Sequence, residues 1–382
     1  MPKEIVFDHL PAGYAQHGGR PNDEINFVFR EFCSTEDGQH FISRLEGTAT
    51  AILEKMSGQA GIDAATTSSL LAVIRPDRSA TVYWNEFHPV VQVRAKGRVN
   101  KGDLVLLDHI MDIERVVLPD GLVPNDAGIC YVFSFGWRKG LFFDYGPLLH
   151  GEKRRPRDYD LGLTLGYGFS RVLFQHLFSI SDEVWAELFR QRWFPFSHLT
   201  TNLVKTMVGR ADERLPIDDQ LDEISTEVKN VVPDRLDDWS NNPIVADHVE
   251  VLRRAFERFL AEDYISASSI LYPRIEGVMR TFIAVEQPGA GATQADLSKF
   301  ASGRGVIREE SLLLPAMFER YLGEVYFASF TPGTIVDAAS RNTVSHGVAA
   351  VARLDRKAAT IGFLTLLQIV STVVITGRAN AP

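Results

Sequence analysis

Residues 340–347 read SRNTVSHG and set Arg341, Asn342 and His346 within six positions. An imidazole titrates near neutrality and can move a proton at pH 7. A guanidinium binds phosphate oxygens and stabilises charge that develops on them. On a helix beginning near Arg341, capped by Ser340 or Asp337, Asn342 and His346 are i and i+4 and share one face. Arg341 stands about 140° around the axis from His346, but its long side chain can swing toward the other two. The start of a helix also favours anions. The chemistry this set can do is proton transfer beside a held phosphate; its bland alternative is an N-capped surface helix.

The elements that must position these residues follow from the rest of the pattern. From residue 247 on, apolar positions recur at three- and four-residue spacing in HVEVLRRAFERFLAED, with Val249, Leu252, Phe256 and Phe259 on one stripe. YISASSILYPRIEGVMRTFIAV, EESLLLPAMFERYLGEVYF, SRNTVSHGVAAVARL and AATIGFLTLLQIVSTVVIT predict four more helices, with Pro273 kinking the first of these or starting a new turn. Residues 247–382 are therefore expected to form an antiparallel bundle. Residues 80–145 alternate short runs rich in Val, Tyr, Phe and Trp with Gly, Pro, Asn and Asp: ATVYWNEF, VVQVRA, DLVLLD, RVVLP, ICYVFSF and GLFFDY. Sequential strands with short breaks predict an antiparallel sheet. Helical spacing before it (FISRLEGTATAILEKM) and after it (FSRVLFQHLFSI, then DEVWAELFRQ capped by Ser181) makes residues 1–210 a mixed α and β part. The fold class is α+β. Residues 211–246, broken by Pro216, Pro233, Pro243 and WSNNP, read as an acidic connector.

The motif resembles the Arg-x4-6-His signature of the HEPN superfamily (higher eukaryotes and prokaryotes nucleotide-binding) in its Arg-Asn-x3-His form. The resemblance extends to EDYISASSILYPRIEGVMR at 262–280, with its Pro-x-x-Glu-x-x-x-Arg run, and covers about a third of the chain. It implies a HEPN-like helical bundle and metal-independent RNA cleavage, with no cofactor, at a cleft shared by two copies of the chain. His346 would then be general base or acid, Arg341 would hold the phosphate and Asn342 would orient the substrate or His346. A bacterial defence or stress role fits that reading. Other HEPN domains are non-catalytic dimerisation or nucleotide-binding modules, which is the alternative. Glu276 and Arg280 are i and i+4, either a helix-stabilising ion pair or a support for Arg341 or His346. Tyr264 is either a core tyrosine or a hydroxyl in the cleft. Arg353, Arg356 and Lys357 follow His346 and can hold an RNA backbone or form a solvated helix end.

In the first part, FSFGWRKGLFFDYGPLL at 133–149 and RWFPFSHL at 192–199 resemble stretches of uncharacterised bacterial proteins, a likeness that carries no activity. The former predicts a hairpin whose Trp-Arg-Lys-Gly turn uses Gly140 and whose Trp137 shields the core; alternatively, Trp137, Arg138 and Lys139 face RNA. RAKGRVNKG at 94–102 and EKRRPRD at 152–158 are basic loops of the same ambiguity. No HExxH, Walker loop, Gly-rich dinucleotide fingerprint or G-x-S-x-G elbow occurs.

Composition bounds the partners. The formal net charge is −9, yet residues 211–250 alone hold twelve acidic and three basic residues. The chain beyond is near neutral, so a local phosphate-binding groove is compatible with the whole. The two cysteines, Cys33 and Cys130, have no metal or disulfide spacing and fit a reducing cytoplasm. MPKEIVFDHL lacks the layout of a secretory signal. The apolar run 361–376 is short for a membrane span and polar at its middle (Gln368, Ser371), which predicts a buried core helix.

Overall fold

The run SLLAVI at 69–74 is buried at every position, and its side chains divide between two cores. Leu70, Ala72 and Ile74 enter one, with Cys130, Val132, Leu141 and Phe143. Leu71 and Val73 enter the other, with Ile129, Tyr131, Phe133 and Phe142. That is the two-residue period of a strand covered on both faces. The structure, a computed structural model, describes residues 1–16, 26–57, 67–242, 244–289 and 291–379. It divides the chain into two units: unit one, residues 1–94 and 113–175, and unit two, residues 95–112 and 176–382.

The strands are β1 (Lys3–Val6), β2 (Tyr14–Gln16), β3 (Asn26–Val28), β4 (Arg30–Ser34), β5 (Ser69–Ile74), β6 (Ser79–Trp84), β7 (Val90–Ala95), β8 (Ile110–Val117), β9 (Gly128–Phe135) and β10 (Arg138–Asp144). Six of them form an antiparallel sheet in the order β1-β6-β5-β9-β10-β4. Helices α1 (Gln39–Leu45) and α2 (Ala51–Ser57) contribute Phe41, Leu45, Ile52 and Leu53 to the first core. Helix α3 (Leu161–Leu173) contributes Leu161, Leu165 and Val172 to the second. The expected antiparallel sheet is present; DLVLLD at 103–108 is not a strand but a loop entering a short 3-10 turn. In the β9–β10 hairpin Arg138 pairs with Phe135, so the turn is Gly136–Trp137 and Gly136 takes the positive φ of 61°. Gly140, expected in the turn, is a strand residue pressed on Phe133, where a Cβ would fall 2.6 Å from the ring. Trp137 is 73% exposed and shields nothing.

Unit two is helical: α4 (Gln175–Phe178, joining it from unit one), α5 (Asp182–Arg190, capped by Ser181), α6 (Thr201–Asp212), α7 (Leu221–Trp239), α8 (Ala246–Leu260), α9 (Tyr264–Glu286), α10 (Gln294–Ser302), α11 (Pro315–Tyr321), α12 (Arg341–Ser345) and α13 (Arg356–Ala379). The expected connector is largely α7. Ile224, Val228, Val232, Leu236 and Trp239 recur every three or four residues and are buried, so the acidic residues are the solvated face of a packed helix. Pro233 lies inside it; Pro243 lies outside the described residues. Pro273 likewise sits within one continuous α9.

Helix α13 packs against α9 and α7. Its span 356–376 holds an 18-residue window apolar enough to cross a membrane, with mean hydropathy 2.1, but 89% of that window is buried inside the fold. Gln368, the polar residue at its middle, is satisfied: its Oε1 accepts from Ser197 N (3.0 Å) and Oγ (2.7 Å), and its Nε2 donates to Leu313 O (3.1 Å). RWFPFSHL supplies that anchor, with Trp193, Phe194 and Phe196 fully buried.

Candidate functional site

Helix α12 starts where expected. Ser340 caps it reciprocally with Thr343, Thr343 N donating to Ser340 Oγ (3.2 Å) and Ser340 N to Thr343 Oγ1 (2.8 Å). It stops five residues later, not at the expected Leu354. His346 is its C-cap, and Gly347 turns the chain with φ 67°. So short a helix carries little macrodipole, and the holding of an anion falls to side chains.

Arg341 meets the expected α9 run directly. Its Nε forms an ion pair with Glu276, a carboxylate whose side chain is only 5% exposed. Glu276 also takes Arg280, whose Nε and Nη2 lie 2.8 and 2.7 Å from its Oε1. One buried carboxylate is thus shared by two guanidiniums, which leaves one positive charge in excess. The Arg341 side chain keeps 23% of its surface and that of Arg280 50%. Arg341 Nη1 also donates to Asn342 Oδ1 (3.1 Å). Beneath the cluster, buried Tyr326 donates to Tyr272 O (2.7 Å); burial, then the Glu276 charge, holds its hydroxyl well above the ordinary tyrosine pKa.

Asn342 is consumed by the fold. Its Nδ2 donates to Phe327 O (2.8 Å) and Gln294 Oε1 (3.3 Å), and its Oδ1 accepts from Gln294 Nε2 (2.7 Å). It fixes α12 to α10, so the expectation that it orients substrate or His346 is replaced by a positioning role. His346 is exposed. Its N–H continues the helix to Asn342 O (3.1 Å), and its ring packs on Phe330 at 5.3 Å. Among the described residues its imidazole has no hydrogen bond or ion pair.

The remaining candidates divide. Tyr264, half-buried at the start of α9, packs edge-on against Phe259 (5.8 Å), and burial raises its pKa. Arg353 is held by both oxygens of Asp337 (2.6 and 2.7 Å). Arg356 pairs with Asp222, and Lys357 with Asp218 (2.6 Å) while lying 5.4 Å over the Trp193 ring. The acidic segment therefore does meet this basic run, but through residues beside and within a core helix. Arg138 and Lys139 belong to unit one and are tied to backbone: Arg138 to Val172 O (3.3 Å) and Leu173 O (3.4 Å), Lys139 to Thr67 O (2.5 Å). In the two basic loops, Lys96 is half-buried and donates to Leu199 O (2.6 Å); loss of solvation around its ammonium lowers its pKa to about 8. Arg157 is buried against Pro124 O (3.1 Å) and Ala127 O (2.9 Å).

Sequence reasoning missed three participants. Gln294 lies on α10, whose Thr293–Asp296 capping box was a readable start signal. Phe330 carries no periodic signal. Arg192 donates to Val325 O (3.1 Å) and to Ala339 O, pinning the chain just before Ser340. No protein-family model, curated protein or solved structure matches this chain, so the HEPN resemblance rests on the quoted residues.

Proposed function

We propose that the chain is a metal-independent endoribonuclease of the HEPN type, with Arg341 and His346 in a cleft formed by two copies. His346 takes the proton from an RNA 2′-hydroxyl. O2′ attacks the adjacent phosphorus, the P–O5′ bond breaks, and the equivalent histidine of the second copy returns a proton to O5′. The products are a 2′,3′-cyclic phosphate and a 5′-hydroxyl. Arg341 holds the non-bridging oxygens, oriented by Glu276. One observation carries this reading: two guanidiniums share one buried carboxylate, and Arg341, one of the two, stands five residues before a solvent-exposed imidazole at the end of the same short helix. Arg353, Arg356 and Lys357 would guide the RNA backbone by exchanging their carboxylates for phosphates. Buried, unpaired Cys33 and Cys130 accord with a cytoplasmic setting, and the reading is compatible with a bacterial defence role.

A second reading has its own observation. Asn342 is fully bonded and Arg341 is paired, which suits a non-catalytic pairing or nucleotide-binding module whose motif braces the bundle. Incubating a mixed RNA pool with the purified chain in EDTA separates the two. The nuclease reading expects cleavage with 2′,3′-cyclic phosphate ends, lost in both Arg341→Ala and His346→Ala. Cleavage that survives both substitutions places the chemistry elsewhere; a folded dimer that leaves RNA intact favours the module.

A further inference from the structure

Unit one holds a cavity of about 950 Å³, at the upper end of the range for small-molecule sites, roughly 300–1,000 Å³. Its lining includes Arg78, Lys153, Arg155, His9, His150 and Phe27. The two carboxylates in the lining are fewer than its three cations, and Asp8, which feels the charge of Arg78, is also held by a fourth cation. Asp8 is paired with Lys55, which lies outside the cavity (2.7 Å), and Asp77 accepts from Ser79 N (2.9 Å) and Oγ (2.6 Å). Among the described residues none of the three cations has a carboxylate partner. Arg78 donates to Asp8 O (3.1 Å), Arg155 to Glu152 O (2.7 Å) and Arg154 O (3.1 Å), and Lys153 lies 6.0 Å from the Phe27 ring centre. Among the described residues, positive charge is thus in excess at this cavity. Phe27 is 54% exposed on short β3, and Leu10, Pro11, Pro76 and Leu148 make an apolar wall beside it. Arg78 is held at φ 73° at the tip of the β5–β6 turn, a conformation uncommon outside glycine and met at functional sites.

We infer that this cavity binds a free nucleoside phosphate, with the phosphates on Arg78, Lys153 and Arg155 and the base against Phe27. Planar apolar surface beside uncompensated cations suits that ligand chemistry. The site lies wholly within unit one and shares no residue with Arg341 and His346.

Calorimetric titration of the full chain at fixed ionic strength tests it, using ATP, GTP, CTP and UTP, with adenosine, guanosine and inorganic tripolyphosphate as half-ligands and a short single-stranded RNA. The expected result is one-site binding of at least one nucleotide, with its nucleoside and tripolyphosphate each about tenfold weaker or more. Lys153→Gln with Arg155→Gln weakens that nucleotide by about tenfold or more, and Arg78→Asn, which tolerates the turn, does the same. Phe27→Ser weakens the nucleotide several-fold and leaves tripolyphosphate unchanged. The Lys153 and Arg155 substitutions remove no hydrogen bond or ion pair outside their own loop among the described residues, so they stand if Arg78→Asn fails to fold. No binding of any nucleotide at about 1 mM overturns the inference. So does binding that ignores these substitutions, or binding of the RNA alone, which would mean a strand-binding surface instead.

Discussion

Asp144 in unit one and Glu276 in unit two are carboxylates buried against arginine, and the two are finished differently. In unit one, Asp144 is 2% exposed and takes Tyr159 Oη (2.5 Å) and Gly146 N (3.0 Å), with Arg157 Nε at 3.7 Å. The Arg157 side chain is itself 1% exposed and spends its other nitrogens on backbone carbonyls. That cluster is sealed: nothing in it can be given to a ligand. In unit two, Glu276 is as deeply buried, but both of its arginines reach solvent. The same holds for two histidines of unit two. His198 is buried, with Nε2 2.9 Å from Ser371 Oγ, whereas His346 is open. A buried ion pair with no exposed member is architecture; one with an exposed guanidinium keeps a charge that a ligand can reach.

The largest expected effect lies in the sealed cluster. Asp144→Ala leaves Arg157 buried without its carboxylate and should cost roughly 3–5 kcal/mol in a denaturant titration. A loss below 1 kcal/mol would show that water reaches Arg157 and that the contrast is overdrawn.

The sealed histidine predicts a pH dependence. Burial, reinforced by cationic Lys96, lowers the pKa of His198 to about 3 from an ordinary 6.5. Between those values the unfolded chain binds a proton that the folded chain does not. Stability should therefore fall as pH drops from about 6.5 toward 3, on the order of a few kcal/mol, and this contribution is flat above 6.5. His198→Gln should flatten that limb, as read from unfolding midpoints at several pH values; an unchanged limb would assign it to other groups.

Glu276→Gln should cost less, about 1–3 kcal/mol, because Arg280 and Arg341 can rehydrate. Its effect on RNA cleavage should exceed its effect on stability, since Arg341 loses its orientation. Equal, small effects on both would reduce Glu276 to a helix staple. Gly347→Ala is the mildest of the set. The left-handed turn after His346 should cost about 1 kcal/mol, visible as a small drop in Tm.

The sequence reveals some of this and hides the rest for identifiable reasons. The period-two alternation around 129–145 and the three- and four-residue stripes of α8 and α9 are local patterns, and the α+β class follows from them. Helix α7 was obscured because twelve acidic residues and three prolines around it outweigh a clean Ile224–Val228–Val232–Leu236 repeat. The truncation of α12 was signalled by Gly347, a helix-ending residue inside an otherwise helical pattern. The Glu276–Arg280 spacing is legible; the Glu276–Arg341 pairing joins residues 65 positions apart and needs the packed bundle to exist. Asn342 shows the limit of a motif read alone, because its type fits substrate binding while its neighbours take every donor and acceptor it offers.

The most direct test of the central claim is a paired reading on one variant, His346→Ala: the rate of RNA cleavage in EDTA and the unfolding midpoint. His346 is exposed and its ring packs on Phe330. If the chain is the proposed nuclease, cleavage falls by about 10²-fold or more while the midpoint stays within about 0.5 kcal/mol of the parent. A variant that loses stability but cleaves as fast as the parent would contradict it.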